Sequence, residues 1–476
     1  MDFYLLIDGK QVPWQSTNKV VFERYNPLFD FSTVQGSKVN DFVIPFSPVS
    51  DQLFNWYYLP QSQLSSVQYL CEKYAYGVLI ECGFIYLVDV SEDGYIVAFT
   101  QNLSEFFGDY QRTTFNKLPL GTEAIPTNFV ANVDHLTAKY ALPVIINSGF
   151  YGNESAPWYT GRMNDYSAGA YIADSTKVPM LFVRYLFERM QALCNFTVEG
   201  EFFTSELYKR MLMYNTFSLD DLTTIEYANH LPEEQTIVDF LLDLRKLFNV
   251  VFFFDVQARK LVGKFGKTLM NSETRLNFTG KVAPSKRRTP EKLNRLELDW
   301  ERESNDDLMK VPPTDFEKYT TAPQEQGVVG QLFSLKTRIS TLTKDTATGL
   351  AIAKQAGVST RLNQGSNTFK TRILFWNGIV NGLPTATNEM PGIRLAWHGS
   401  NNLVDNFWSE YESWRLTASM RPLSINLSAL DLADTDFHRT SGANIAFHHK
   451  GRDYYIASIK TQLPLTEASE VEAWIR

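Results

Sequence analysis

Cysteine is scarce: Cys71, Cys82 and Cys194 are all there is. They form no CxxC pair and no His/Cys spacing that suits zinc, which excludes a disulfide framework and a zinc-built fold. The usual catalytic signatures are missing as well. There is no GxSxG, no glycine-rich phosphate loop ending in Gly-Lys-Ser/Thr, no HExxH and no GxGxxG that opens a helix. No window comes near the roughly 18 consecutive apolar residues that a membrane-spanning helix needs. Residues 1–10 lack a basic region followed by a long apolar one, so they read as a strand and turn and not as a secretion signal. Positive charge is in the minority, at 45 Lys and Arg against 53 Asp and Glu, for a formal net charge of -8. That balance argues against a nucleic-acid binder held by a broadly basic surface, while leaving room for a channel through which DNA slides without sticking. These gaps together lead us to expect a non-enzymatic protein without cofactor or metal and without stable membrane insertion, made and folded in a cytoplasm.

What the chain does have is length and aromatic side chains. Its 476 residues exceed one core and suggest roughly three or four domains, at about 100–200 residues each. Hydrophobic residues make up 44% and charged residues 21%, so extensive disorder is excluded. The 34 Phe, 23 Tyr and 9 Trp favour strands and large interfaces.

The most patterned stretch is 178–264, where an apolar helix leading into a β segment occurs twice. In the first copy Pro179 suits a first helical turn, the helix covers 180–190, and an extended segment covers 194–200. In the second, Thr236 opens a helix over 237–248, and extended runs follow at 250–255 and 260–264. Ile237, Leu241, Leu244 and Phe248 fall at i, i+4, i+7 and i+11, one apolar stripe for packing on a sheet. The first helix is apolar nearly all round, so it needs cover on more than one side. A neighbouring subunit is expected to supply it, and Phe182, Tyr185 and Phe187 are the candidate interface residues.

The flanks are β-rich. Residues 3–7, 20–22 and 41–46 are strand candidates, 77–90 reads as two strands around Glu81, Cys82 and Gly83, and Glu92-Asp93-Gly94 is a hairpin turn into 95–100. Residues 149–175 lack periodicity and read as a long surface loop. Further strands are expected at 371–376, 392–397 and, after the turn-like Lys450-Gly451-Arg452-Asp453, at 454–459. The fold class is therefore α+β and β-rich, with two β-barrel-like domains flanking or enclosing a central α/β region. The expected division is an N-terminal barrel-like domain over 1–143, the central region with two helix-strand units over 144–280, a mixed segment over 281–369 and a C-terminal barrel-like domain over 370–476. Within the mixed segment Pro312, Pro313 and Pro323 mark 310–326 as a linker.

Few surface candidates stand out. Lys286, Arg287 and Arg288 form a basic cluster, most simply a solvated loop and otherwise a phosphate or DNA contact, and they join the candidate protein-interface residues, where acidic groups of a partner protein would pair with them. His448-His449 is the nearest approach to a metal pair, yet adjacent strand residues point to opposite faces, so these are hairpin residues. Asp431, Asp434 and Asp436 lack the glycine and distal glutamate of a calcium loop and read as a surface turn. Trp56-Tyr57-Tyr58 and Trp158-Tyr159 are candidates for stacking on sugars, or for packing in cores and between subunits. No carboxylate pair is singled out for glycosidase chemistry.

Segments 38–46, 178–200, 236–255 and 453–456 together resemble tail proteins of phages and prophages of Bacteroidetes, in the same order along the chain. More distantly, the succession of barrel, twin helix-strand units and second barrel resembles the baseplate hub shared by contractile phage tails, the tail-associated proteins of siphophages and the spike proteins of type VI secretion. The resemblance implies a structural ring, most simply a trimer, between tail tube and central spike. Two barrels per subunit would give a pseudo-sixfold collar matching a hexameric tube. Its partners would be further copies of itself, tail tube, spike and other baseplate proteins, with DNA passing without sequence-specific binding, and its place would be the virion. Host recognition through carbohydrate and cell-wall hydrolysis are the alternative functions. Residues 467–476 end without a lysozyme, peptidase or fibre module, so wall digestion is expected to belong to another polypeptide.

Overall fold

Alternation of buried and part-exposed side chains sets up the N-terminal strands. The computed structural model describes residues 3–14, 19–33, 36–66, 68–101, 106–152, 156–323, 330–361 and 368–476, and it is β-rich with few helices. Strand β1 (Phe3–Ile7) turns into β2 (Lys10–Val12), and β3 (Val20–Tyr25), β4 (Ser37–Val39) and β5 (Phe42–Pro45) follow. Next come β6 (Tyr69–Ala75), β7 (Val78–Ser91) and β8 (Gly94–Thr100). The Glu92-Asp93 turn is as expected, with Ser91 paired to Gly94. The two strands expected within 77–90 are one 14-residue strand. Gly83 is not a turn residue there; a Cβ on it would meet the Phe99 ring and the Thr100 carbonyl oxygen at 2.6 Å, so glycine serves close packing of β7 on β8.

Glu81 lies in the same strand, fully buried. Its carboxylate takes Lys73 Nζ at 2.7 Å and Arg24 Nε at 3.5 Å. Burial pushes the Glu81 pKa up, but the two cations outweigh it and hold the carboxyl below its usual range. The ammonium of Lys73 also sits 3.2 Å from the centre of the Phe99 ring. A sheet that buries ion-paired groups has one register, because a one-residue slip would strand a buried charge.

In the central region the first helix begins later than its sequence suggests. Met180–Phe182 forms a strand, β9, and helix α1 is Val183–Cys194. Pro179 therefore precedes a strand and not a helical turn. The cause is tertiary: β9 is buried on both faces and pairs antiparallel with Tyr140–Ala141 on one edge and with β11 (Met211–Tyr214) on the other, which outweighs local helix preference. Between them lies β10 (Thr197–Glu199). Helix α2 (Ile237–Phe248) is capped by Thr236, whose side chain and that of Asp239 form a reciprocal capping box. Its stripe of Ile237, Leu241, Leu244 and Phe248 is fully buried, as the periodicity requires. Both helices end on an asparagine in the left-handed region, Asn195 at φ 52 and Asn249 at φ 48. Strands β12 (Val250–Asp255) and β13 (Lys260–Phe265) follow α2, and β10 joins them in a small sheet of order β10-β13-β12. The two helix-strand units thus share a sheet.

The remaining strands extend the central sheet and the large one. Residues 281–290 include the two-residue strand β14 (Thr289–Pro290). Within the segment read as a linker, Phe316 is buried and Tyr319–Thr320 pairs with Leu298 and Glu297, so that stretch is built into a sheet; 324–326 lie outside the described residues. Strands β15 (Arg372–Val380) and β16 (Leu383–Thr387) extend the central sheet through pairing of β11 with β15. Residues 370–390 therefore belong with the centre. Last come β17 (Ser419–Ile425), helix α3 (Ala429–Asp434), β18 (Ala446–His449), β19 (Arg452–Leu463) and β20 (Ser469–Ile475). The acidic run 431–436 is not a surface turn: Asp431 completes a capping box with Ser428, and Asp436 is buried.

The strand order of the largest sheet is β2-β1-β6-β7-β8-β4-β3-β19-β20-β17-β14, with β5, β18 and the two-residue strand Leu276–Asn277 paired off this path. The two β-rich ends of the chain are thus one 14-stranded sheet, joined where β3 runs antiparallel to β19, from Val20 opposite Leu463 to Tyr25 opposite Ser458. Helix α3 packs on β7, and Arg24 fixes it there by donating to the Leu432 carbonyl at 2.5 Å and to that of Ile80 at 2.6 Å. No helix among the described residues is long and apolar enough to cross a membrane.

Candidate interaction surfaces

The three aromatic residues expected at a subunit interface are covered by the chain itself. Phe182 and Phe187 are fully buried and Tyr185 nearly so. Phe187 packs its ring against Phe203 at 5.4 Å and Tyr208 at 5.8 Å. Tyr185 meets Tyr227 at 5.2 Å and donates to the Leu120 carbonyl at 3.0 Å. A helix apolar all round requires cover, but its sequence does not say from whom, and here segments from both sides of the chain wrap it. What α1 leaves exposed is polar or small, at Glu188 and Ala192.

The basic cluster is solvated. Lys286, Arg287 and Arg288 are exposed, and Arg288 Nε donates to Ser419 Oγ at 2.8 Å. Residues 281–290 run along β17: Val282 bridges Ile425, the Ala283 amide donates to the Ser424 carbonyl at 2.9 Å, and Thr289 pairs with Met420. The cluster therefore lies on the outermost run of the large sheet, between Pro284 and Pro290. Charge and proline at that position blunt a sheet edge against pairing with another chain.

The aromatic candidates divide. Trp56, Tyr57 and Tyr58 are exposed, just beyond the short helix Pro48–Leu53, on a loop where Asn55 and Trp56 both have positive φ, 51 and 48. Such conformations are uncommon outside glycine and are held here by the neighbouring structure. Trp158 is also exposed, with the Arg361 guanidinium 5.2 Å from its ring centre, whereas Tyr159 is half-buried and donates to the Asn147 carbonyl at 2.8 Å.

Titratable residues singled out in the sequence are paired locally. His448 and His449 occupy β18 as hairpin residues; His448 pairs with Asp453 at 2.8 Å. Asp431 pairs with Lys281. Among the described residues no three His, Cys, Asp or Glu side chains gather as a metal site. Asp243 on α2 has its pKa pushed up by burial, but its carboxylate is taken by Gln235 Nε2 at 2.9 Å, the Arg338 amide at 3.1 Å and Arg338 Nε at 3.0 Å. A carboxyl enclosed in that way holds two segments together and reaches no substrate.

A cleft of about 790 Å³ opens between the 125–132 segment, the hairpin of Tyr166–Ser167 with Ala170–Tyr171, and the 219–222 turn. Phe129, Tyr166 and Tyr171 line it, and Ile379 reaches it from the β15-β16 hairpin. Its walls come from separated stretches of chain, so no local motif could announce it.

No protein-family model matches this chain, and no curated protein matches it in sequence. Among solved structures, the 43 kDa tail protein of prophage MuSo2 from Shewanella oneidensis is similar over 100% of this chain and 98% of its own, at a TM-score of 0.40 and 10% identity. Prophage tail protein gp18 from Listeria monocytogenes EGD-e is similar over 100% and 94%, at 0.35 and 10%. The tail protein from Neisseria meningitidis MC58 is similar over 100% and 95%, at 0.36 and 8%.

Proposed function

We propose that the chain is a structural component of a phage tail tip or baseplate, forming the hub ring that joins the tail tube to the central spike and lets DNA pass. The observation that carries this reading is where the segments of the sequence resemblance fall. Residues 38–46 supply β4 and β5, 178–200 supply β9, α1 and β10, 236–255 supply α2 and β12, and 453–456 open β19. What is shared with tail proteins is thus a framework and not a reactive site. In this reading the two β-rich lobes either side of the β3/β19 seam stand for the two barrel-like units of each subunit, three subunits close the ring, and the protein has no catalytic activity. Tube, spike and other baseplate proteins are its partners, and the virion is its place. The acidic balance fits a lumen that does not hold the phosphate backbone.

The test is the mass of the purified chain in solution and its position in an imaged particle. A closed assembly of three times 54.5 kDa, seated at the tail tip, is expected. A stable monomer, or a particle holding one copy, overturns the ring. A second reading, host recognition, is favoured by the exposed Trp56, Tyr57 and Tyr58. Loss of adsorption with an intact particle after Trp56→Ala would support it over the ring role.

A further inference from the structure

The cleft beside Tyr166 is built, and three of its charged groups, Lys177, Asp220 and Arg361, already have partners. Tyr171 donates its hydroxyl to the Leu142 carbonyl at 2.8 Å and presents its ring to Tyr166 at 5.1 Å and Phe129 at 6.3 Å, so the aromatic wall is fixed. Lys177 Nζ donates to the carbonyls of Ile172 and Ser175, each at 2.6 Å, which ties down the rim. Asp220 accepts from Tyr151 at 2.5 Å and from Ser359 at 2.6 Å, and Arg361 pairs with Asp221 at 3.1 Å. After these pairings, Asn128, Asn132 and Asp174 line the cleft with exposed side chains. Two amides and one carboxylate, set around aromatic surface, match a ligand that offers hydroxyl groups to hydrogen-bond and C–H faces to stack. They suit an anion less, because the donors of Lys177 are taken up by carbonyls, Arg361 is paired with Asp221 and the free carboxylate of Asp174 would repel it. A volume of about 790 Å³ is in the range of ligand clefts and admits several sugar rings.

We propose that this cleft is a binding site for a neutral oligosaccharide, with Tyr166 and Phe129 as the stacking surfaces and Asn128, Asn132 and Asp174 as the hydrogen-bonding groups. The proposal stands on the cleft and not on the tail reading, so either can fail alone. It also differs in place from the exposed Trp56, Tyr57 and Tyr58.

The test uses the full-length protein with chitotetraose and maltotetraose as probes, read by saturation-transfer NMR and calorimetric titration. Saturable binding of at least one probe is expected, weakened at least about tenfold by Tyr166→Ala and unchanged by Trp56→Ala. Asp174→Asn, at an exposed position, is the second variant should Tyr166→Ala lower the melting temperature; it is expected to weaken binding without altering the fold. Inorganic phosphate should not compete. The proposal is overturned if neither saccharide binds, if binding survives both cleft variants, if phosphate displaces the sugar, or if the cleft in the assembled particle is filled by a segment of another protein.

Discussion

The two helix-strand units have the same order of elements, end on the same left-handed asparagine and share one small sheet, yet only the second could be read correctly from its sequence. Helix α2 carries its own instructions: a threonine cap, a carboxylate at the reciprocal position and a single apolar stripe. Helix α1 carries none of these at its start. No side chain caps it, and the three residues before it are drawn into a strand between Tyr140–Ala141 and β11. Where a helix carries its own end signals, they fix where it starts. Where it carries none, the surroundings fix it.

Substitutions sharpen that contrast. The largest effect is expected at Phe187, whose ring contacts Phe203 and Tyr208 in full burial. Phe187→Ala should cost about 3–5 kcal/mol in a denaturant melt. A loss of assembly with unchanged stability of the single chain would instead return α1 to the role of an interface. Next is Leu241→Ala on the α2 stripe, at about 2–5 kcal/mol; a value near zero would mean that the stripe does not bear on the core.

The third contrast is one of pH. His230 follows Tyr227 in the turn that covers α1, and burial drives its pKa down to about 3. The unfolded chain then binds the proton more tightly than the folded one. Stability is full above the ordinary histidine range, near 6.5, and falls by roughly 1.4 kcal/mol per pH unit from there toward 3. Melting curves from pH 7 to 4 should show this slope, and His230→Gln should flatten it; an unchanged slope in the variant assigns acid sensitivity elsewhere. The smallest effect is Thr236→Ala, which removes the α2 cap and should cost about 0.5–2 kcal/mol. A larger loss would show that α2 too depends on more than its own signals.

The same distinction explains what else was legible. The Lys450-Gly451 turn could be foreseen, and it belongs to a set: Asp8-Gly9, Tyr76-Gly77, Ala168-Gly169, Asn381-Gly382 and Lys450-Gly451 each close a two-residue hairpin with both residues at positive φ. Tyr76 and Ala168 are poor turn formers, so their hairpins are imposed by the strands on either side. Residues 149–175 lack periodicity, but Phe150, Met163 and Asn164 are buried within them, held by contacts no window of sequence displays. Glu81 and Gly83 looked like punctuation because charge and glycine usually are; Lys73 and Arg24 neutralise the first, and the Phe99 ring requires the second. The solvated basic loop was readable, whereas its position on a sheet edge was not. The cleft was not readable at all, since its walls meet only after folding.

The seam between β3 and β19 also sets a timetable. Asn26 donates through its side chain to the carbonyl of Ile456, 430 residues further along, so one edge of β3 has no partner until those residues have been made. At about 5–20 residues per second that is a delay on the order of 20 to 90 s. During it the N-terminal strands expose an unpaired edge, an invitation to pair with another nascent chain. Slowing translation between β8 and β19 should therefore lower the yield of soluble protein more than slowing it after β19.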